Sequence, residues 1–238
     1  MTDPNLNSQE INENIDKLTQ LINSSFEKLL PKHFDFKEYN KKLQESLEES
    51  IILLSQNDWY INFDMSIAQI NRAGKFIENG NINEADIFLM NYFDEEINTI
   101  KTFLSRRFPM RKKIIEAAID AHTNKDYYLS IPVFFAQAEG ISQELIKIRF
   151  FKTKKGKPET AHFAENYIGT DLMDSLLNPL KIVSSNRKIQ DPNNPIGINR
   201  HDILHGQSYD YGENPINSYK ALSLLNYIAS IVFKASIE

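Results

Sequence analysis

The chain has 238 residues, 41% of them hydrophobic and 25% charged, with a net charge of −5 and no cysteine. That length buries one sizeable core or two small ones, and the missing thiols exclude disulfides and thiolate metal sites. The acidic balance argues against broad non-specific nucleic-acid binding but leaves room for a local basic patch on a phosphate backbone, so any role on RNA has to be local.

No apolar run approaches the length of a membrane span, and Met1-Thr2-Asp3-Pro4-Asn5 lacks the basic-then-apolar order of a signal peptide. A cytoplasmic setting is therefore the default expectation. From about Ser8 to Leu30 apolar residues recur at three and four, which predicts an amphipathic helix stopped by Pro31. A second, about Phe36 to Leu54, carries Tyr39, Leu43, Leu47, Ile51 and Leu54 on one stripe, and the two form a helical hairpin. Asn57 to Phe63, with the only tryptophan, breaks the periodicity. We place the boundary of the main domain there, with residues 1–57 as an extension and 58–238 as the domain.

Asp64 is the expected N-cap of a helix ending near Gly80, followed by a long helix from about Asn83 to Arg107 with a basic last turn. Pro109 opens a helix to His122 and Asn124-Lys125-Asp126 turns the chain. Tyr127 to Phe150 then reads as the central helix, with Ile131, Phe134, Phe135, Ala138, Ile141, Leu145 and Ile148 in phase and Pro132 tolerated in its first turns. Lys152 to Pro158 is a basic loop, Asp171 to Val183 a weaker helix and Ser184 to Ile198 a polar linker. The last helix, about Asn217 to Ala235, is apolar over a broad arc. With no strand-like alternation or repeat of any length, the fold class is all-α.

Asn199-Arg200-His201-Asp202-Ile203-Leu204-His205-Gly206 lies between the turn-rich stretches Asp191 to Pro195 and Tyr209 to Pro215, so a short helix ended by Gly206 is expected. An arginine is a permanent forked donor suited to phosphate, and a histidine carries protons near neutral pH. His201 and His205, four apart, lie about 40° from each other on a helix, and Arg200 and His205 about 140° apart, so that Arg200 and His205 can border one surface groove without facing each other directly. The histidine pair also has metal-ligand spacing, but no third ligand is recognisable in the sequence. Composition alone favours a blander account, with Arg200 and Asp202 as solvated charges and both histidines buried.

Glu139-Gly140 interrupts the central helix with a weak helix former beside a carboxylate. Glu139 is expected to pair with Arg200 or His201, and Gly140 to admit the Arg200 segment closely. The cluster Arg106, Arg107, Arg111, Lys112 and Lys113 either tracks an RNA backbone or marks solvated helix ends. Tyr209 and Tyr211 either stack on bases or only pack. Asn199, Tyr209, Tyr211 and Lys220 complete the candidate set as substrate contacts. His33, His122 and His162 are taken as structural.

Arg200-His201-Asp202-Ile203-Leu204-His205 resembles the R-x4-6-H signature of the HEPN superfamily, in which a polar residue commonly follows the arginine. Ile131-Pro132-Val133, Ala138-Glu139-Gly140-Ile141, Tyr211-Gly212 and Asn217-Ser218-Tyr219-Lys220-Ala221-Leu222, in that order, look like a bacterial branch of it, from roughly Trp59 to the C-terminus. The resemblance implies a HEPN-like helical bundle that dimerises so that two motifs meet in one cleft. It further implies a metal-independent endoribonuclease of toxin–antitoxin or phage-defence systems, with RNA, a second copy of the chain and an antitoxin or defence partner as its associates. Arg200, His201 and His205 match the motif, and Glu139 is added from its placement. In the branch paired with nucleotidyltransferase antitoxins a tyrosine follows the histidine by two; Gln207 stands there instead, so the resemblance does not extend to modification of that tyrosine. No cofactor and no metal is expected. The rival readings are a catalytically silent HEPN-like module that binds RNA or protein, and a histidine-based metal hydrolase.

Overall fold

The computed structural model describes residues 17, 35–149, 152–154, 157–167, 171–182 and 198–237. Apart from Lys17, the expected helix from Ser8 to Leu30 lies outside them, as does most of the linker before Ile198. Two compact units divide the chain, residues 1–43 and 44–238. The division falls inside helix α1 (Phe36–Gln56) rather than near residue 57, because Leu47, Ile51 and Leu54 in its second half are buried in the core of the second unit.

The described residues of the second unit are predominantly helical, as the periodicity predicts. Helix α2 (Ile67–Glu78) is capped by Ser66, not Asp64: the Ser66 hydroxyl accepts from the Gln69 amide and the Gln69 side chain accepts in return from the Ser66 amide. Gly74 lets α1 cross closely, since a Cβ there would stand 2.5 Å from the Ser50 side chain. Helix α3 (Ile82–Arg107) is followed by a 3-10 turn (Pro109–Arg111) and then α4 (Lys112–Thr123). Helix α5 (Tyr127–Ile146) stops four residues short of Phe150, because Lys147 adopts a left-handed conformation at φ 57° and turns the chain out.

Beyond α5, strands β1 (Thr153–Lys154) and β2 (Lys157–Pro158) pair antiparallel where only a basic loop was expected. Three short helices follow: α6 (Glu159–Glu165), which the sequence did not announce, α7 (Asp171–Leu177) and α8 (Pro179–Ile182). The motif helix is α9 (Arg200–Leu204). The final helix is split into α10 (Pro215–Tyr227), a π-helical turn (Ile228–Val232) and α11 (Phe233–Ile237). Ser230 donates its hydroxyl back to the Asn226 carbonyl at 2.7 Å, one way a helix is bent out of its regular ladder.

Helix α5 is central. It packs against α4, α10 and the π-helical turn, and on another side against α9. Its Ile131, Phe134, Ala138 and Ile141 are wholly buried, with Leu222, Leu225 and Ile228 from the last helix in the same core. The stretch Pro215–Ile237 is, contrary to the expectation from hydropathy, long and apolar enough by composition to cross a membrane; 67% of its most apolar window is buried inside this fold.

Candidate functional site

A five-residue helix cannot hold itself together, since nucleation costs more than so few hydrogen bonds return. Helix α9 is held at both ends and underneath. Asn199 is its N-cap, its side-chain oxygen accepting from the amides of His201 (3.0 Å) and Asp202 (3.3 Å), while its Nδ2 donates to the Asp202 carboxylate at 2.6 Å. The Asp202 carbonyl then accepts from the amides of Gln207 and Ser208, closing the C-terminal side around Gly206 at φ 70°. Ile203, the buried residue of the helix, lies in the same core as α5.

This clamp sends the functional groups two ways. Arg200 is half-buried: loss of water pushes its guanidinium pKa down, and the Glu139 carboxylate on α5 pushes it back up. Glu139 on α5 thus lies near enough to act electrostatically on Arg200 of α9. His201 and His205 are both exposed, against the blander expectation that they would be buried, with ring centroids 4.4 Å apart and planes at 51°. One short helix therefore presents two adjacent imidazole rings to solvent beside a half-buried arginine.

Other members of the candidate set are used elsewhere. Asn199 is spent on the cap. Gly140 does not admit α9; it admits Arg111, whose guanidinium nitrogens would stand 2.8 and 2.9 Å from an added Cβ. That guanidinium donates to Gln137 at 2.8 Å and pairs with Glu144, so the basic run from Arg106 to Lys113 is not one continuous strip of free cations. Tyr211 packs rather than waiting for a base: its ring meets Tyr128 edge-on at 5.2 Å and its hydroxyl donates to the Tyr128 carbonyl at 3.0 Å. Lys220, 13% exposed, faces inward, with its ammonium 3.7 Å from Asp86 and 5.7 Å from the centre of the Trp59 ring. Tyr209, at 86% exposure, keeps its ring available beside the motif.

The segment Asn217 to Leu222 is a packing hub. Asn217 donates to the Tyr211 carbonyl at 2.9 Å, and the Tyr219 hydroxyl donates to Asp94 at 2.6 Å. The Ser218 hydroxyl lies 2.7 Å from both His122 Nδ1 and the Ser130 hydroxyl. Burial holds the His122 pKa down to about 4, against a smaller upward pull from Asp94. This chain of His122, Ser218 and Ser130 had no signal in the sequence, because Ser218, which links the other two, stands far from both in the chain. The Asn199 and Asp202 clamp did have one, a cap residue with a carboxylate three positions on. Among the described residues no group of three or more His, Asp or Glu is placed to hold a metal ion.

The fold and site define a predominantly helical protein, among its described residues, with an arginine–histidine cluster on a short, doubly clamped helix. Comparison with family models, with curated proteins and with solved structures finds no match in any of the three.

Proposed function

We propose that the chain is a metal-independent endoribonuclease of HEPN type, acting as a homodimer in a toxin–antitoxin or phage-defence setting. What supports this is the half-buried Arg200, backed by Glu139, beside two exposed histidine rings 4.4 Å apart. Cleavage of RNA without metal needs a base for the 2′-hydroxyl, an acid for the leaving oxygen and a cation for the charged phosphorane. A histidine of the pair takes the 2′-hydroxyl proton, the 2′-oxygen bonds to phosphorus, and the bond from phosphorus to the 5′-oxygen breaks. The leaving oxygen takes a proton from the acid, which gives a 2′,3′-cyclic phosphate and a 5′-hydroxyl. Arg200 carries the negative charge that builds on the phosphoryl oxygens, and Tyr209 is exposed where a base can stack. A second copy supplies the groups on the far side of the scissile phosphate, which makes the partner chain part of the mechanism.

Purified protein incubated with an RNA oligonucleotide is expected to leave cyclic-phosphate ends with and without EDTA, and to spare the matching DNA, which lacks the nucleophile. His205→Ala should lower the rate by roughly 10²–10⁴, and Arg200→Ala should lower it while leaving the melting temperature unchanged. Products with 5′-phosphates that require a divalent metal would replace this reading with a metal hydrolase. RNA retained intact would replace it with a silent binding module.

A further inference from the structure

Away from the motif helix, a cavity of about 480 Å³ opens between the Asn62–Asp64 connection, α3 and the C-terminal helix at its π-helical turn. That volume is of the order that encloses a small organic molecule. Its walls are the rings of Phe63, Phe103 and Phe233, with Ile100 beneath. Two cations lie on those rings: the Arg107 guanidinium is 3.3 Å from the centre of Phe233 and the Lys234 ammonium 4.7 Å from that of Phe63. Cation–π contact holds each head group over an aromatic face without consuming its hydrogen-bond donors. Asp64 is the one carboxylate among the lining residues, so the rim is positive on balance.

Asn226 also lines the cavity. It is 2% exposed and its Nδ2 has no hydrogen-bond partner among the described residues. A buried amide donor left unmade costs stability, and a ligand oxygen arriving beside it would remove that cost. The same asparagine's carbonyl is the one drawn to Ser230, where the helix widens into the π-helical turn, a distortion that recurs at functional sites. A shallower groove continues from the cavity past Thr99 and Phe103 to Arg106, leaving room for a longer ligand on the positive side.

We infer that this cavity binds a small aromatic carboxylate or sulfonate, its ring between the phenylalanines, one oxygen on the Asn226 amide and its charge on Arg107 and Lys234. The site shares no residue with the arginine–histidine motif and stands independently of the ribonuclease reading. The test is calorimetric titration of the full chain with 8-anilinonaphthalene-1-sulfonate against the neutral N-phenyl-1-naphthylamine. We expect saturable binding of one anion per chain, about tenfold tighter than the neutral compound. Arg107→Glu, an exposed change, should abolish the preference for the anion, and Thr99→Trp, which fills the opening, should abolish binding of both. Asn226→Leu should weaken the anion without lowering the melting temperature, whereas a purely structural asparagine would lose stability on that change. Absence of saturable binding, equal affinity for the neutral compound, or indifference to Thr99→Trp would overturn the proposal. So would a fall in melting temperature with Asn226→Leu, or a concentration-dependent dimer lost in Phe103→Asp, which would make the patch a protein interface.

Discussion

Pro132 has no amide hydrogen, so the Tyr128 carbonyl one turn earlier loses its helical donor, and the Tyr211 hydroxyl, 3.0 Å away, takes that place. Tyr211 thus ties the loop after the motif helix to the first turns of α5, and Gly212 leaves room for the Tyr128 ring, which would stand 2.6 Å from a Cβ. Tyr211→Phe should cost about 0.5–1 kcal/mol. In a Pro132→Ala background the new amide donates instead, so a double-mutant cycle by urea unfolding should show the Tyr211→Phe cost shrinking; an unchanged cost would mean that the two residues are not coupled. His122 makes a second residue-level prediction. Its pKa is held down to about 4 in the fold, against 6.5 in an unfolded chain. Above 6.5 it is neutral in both states; below that the unfolded chain takes up a proton that the fold refuses. The contribution is therefore fully present above pH 6.5 and drains away as pH falls towards 4, by about 3 kcal/mol. His122→Gln should flatten that part of a stability–pH curve, and an unaltered slope would place the acid sensitivity elsewhere.

At the level of elements, α5 serves different neighbours on different faces. Arg111 docks over Gly140 between Gln137 and Glu144, while Glu139 faces Arg200 on α9. Gly140→Ala gains roughly 1 kcal/mol of helix propensity but pushes the Arg111 guanidinium off its partners. The bond to the buried Gln137 is worth about 1 kcal/mol, and the pair with the exposed Glu144 adds less. Thermal melts should therefore find Gly140→Ala neutral to slightly destabilising in the native chain and stabilising by about 1 kcal/mol beside Arg111→Ala. The same sign in both backgrounds would remove Arg111 as the reason for the glycine. Helix α9 shows the opposite economy: with one buried side chain, it depends on Asn199 and Asp202 to exist, and through it so does the orientation of Arg200 and both histidines.

At the level of the whole molecule, the proposed chemistry extends beyond one chain. If two motifs share a cleft, mixed dimers separate the roles that one polypeptide cannot. Arg200→Ala and His205→Ala chains, each inactive alone, should recover part of the activity when co-refolded, because one shared cleft then keeps an arginine and a histidine of native type. RNA cleavage by the purified heterodimer is the measurement, and no recovery would mean that each chain needs its own complete set. Within the second unit, the core is joined over long sequence distance by Trp59, Asp86 and Lys220, with the Trp59 indole donating to Asp86 at 2.6 Å. Lys220 therefore reports on packing rather than on substrate.

Periodicity alone determined the all-helical class, because amphipathic stripes at three and four are a local property that each segment carries with it. Nearly every long helix of the second unit is legible that way, and the short motif helix is legible from Asn199 and Gly206, its start and stop signals. Where two signals competed, local reading failed: Ser66 rather than Asp64 caps α2 because Gln69 completes its capping box, and Lys147 ends α5 although Ile148 continues the apolar phase. Only the tertiary structure decided which polar residues are free for chemistry. Lys220 and Tyr211 look available in a sequence, and Gly140 looks like room for the motif, until burial and neighbours from distant helices claim them. The His122, Ser218 and Ser130 chain and the Phe-lined cavity at the π-helical turn are likewise products of assembly, since each brings together side chains about ninety or more residues apart.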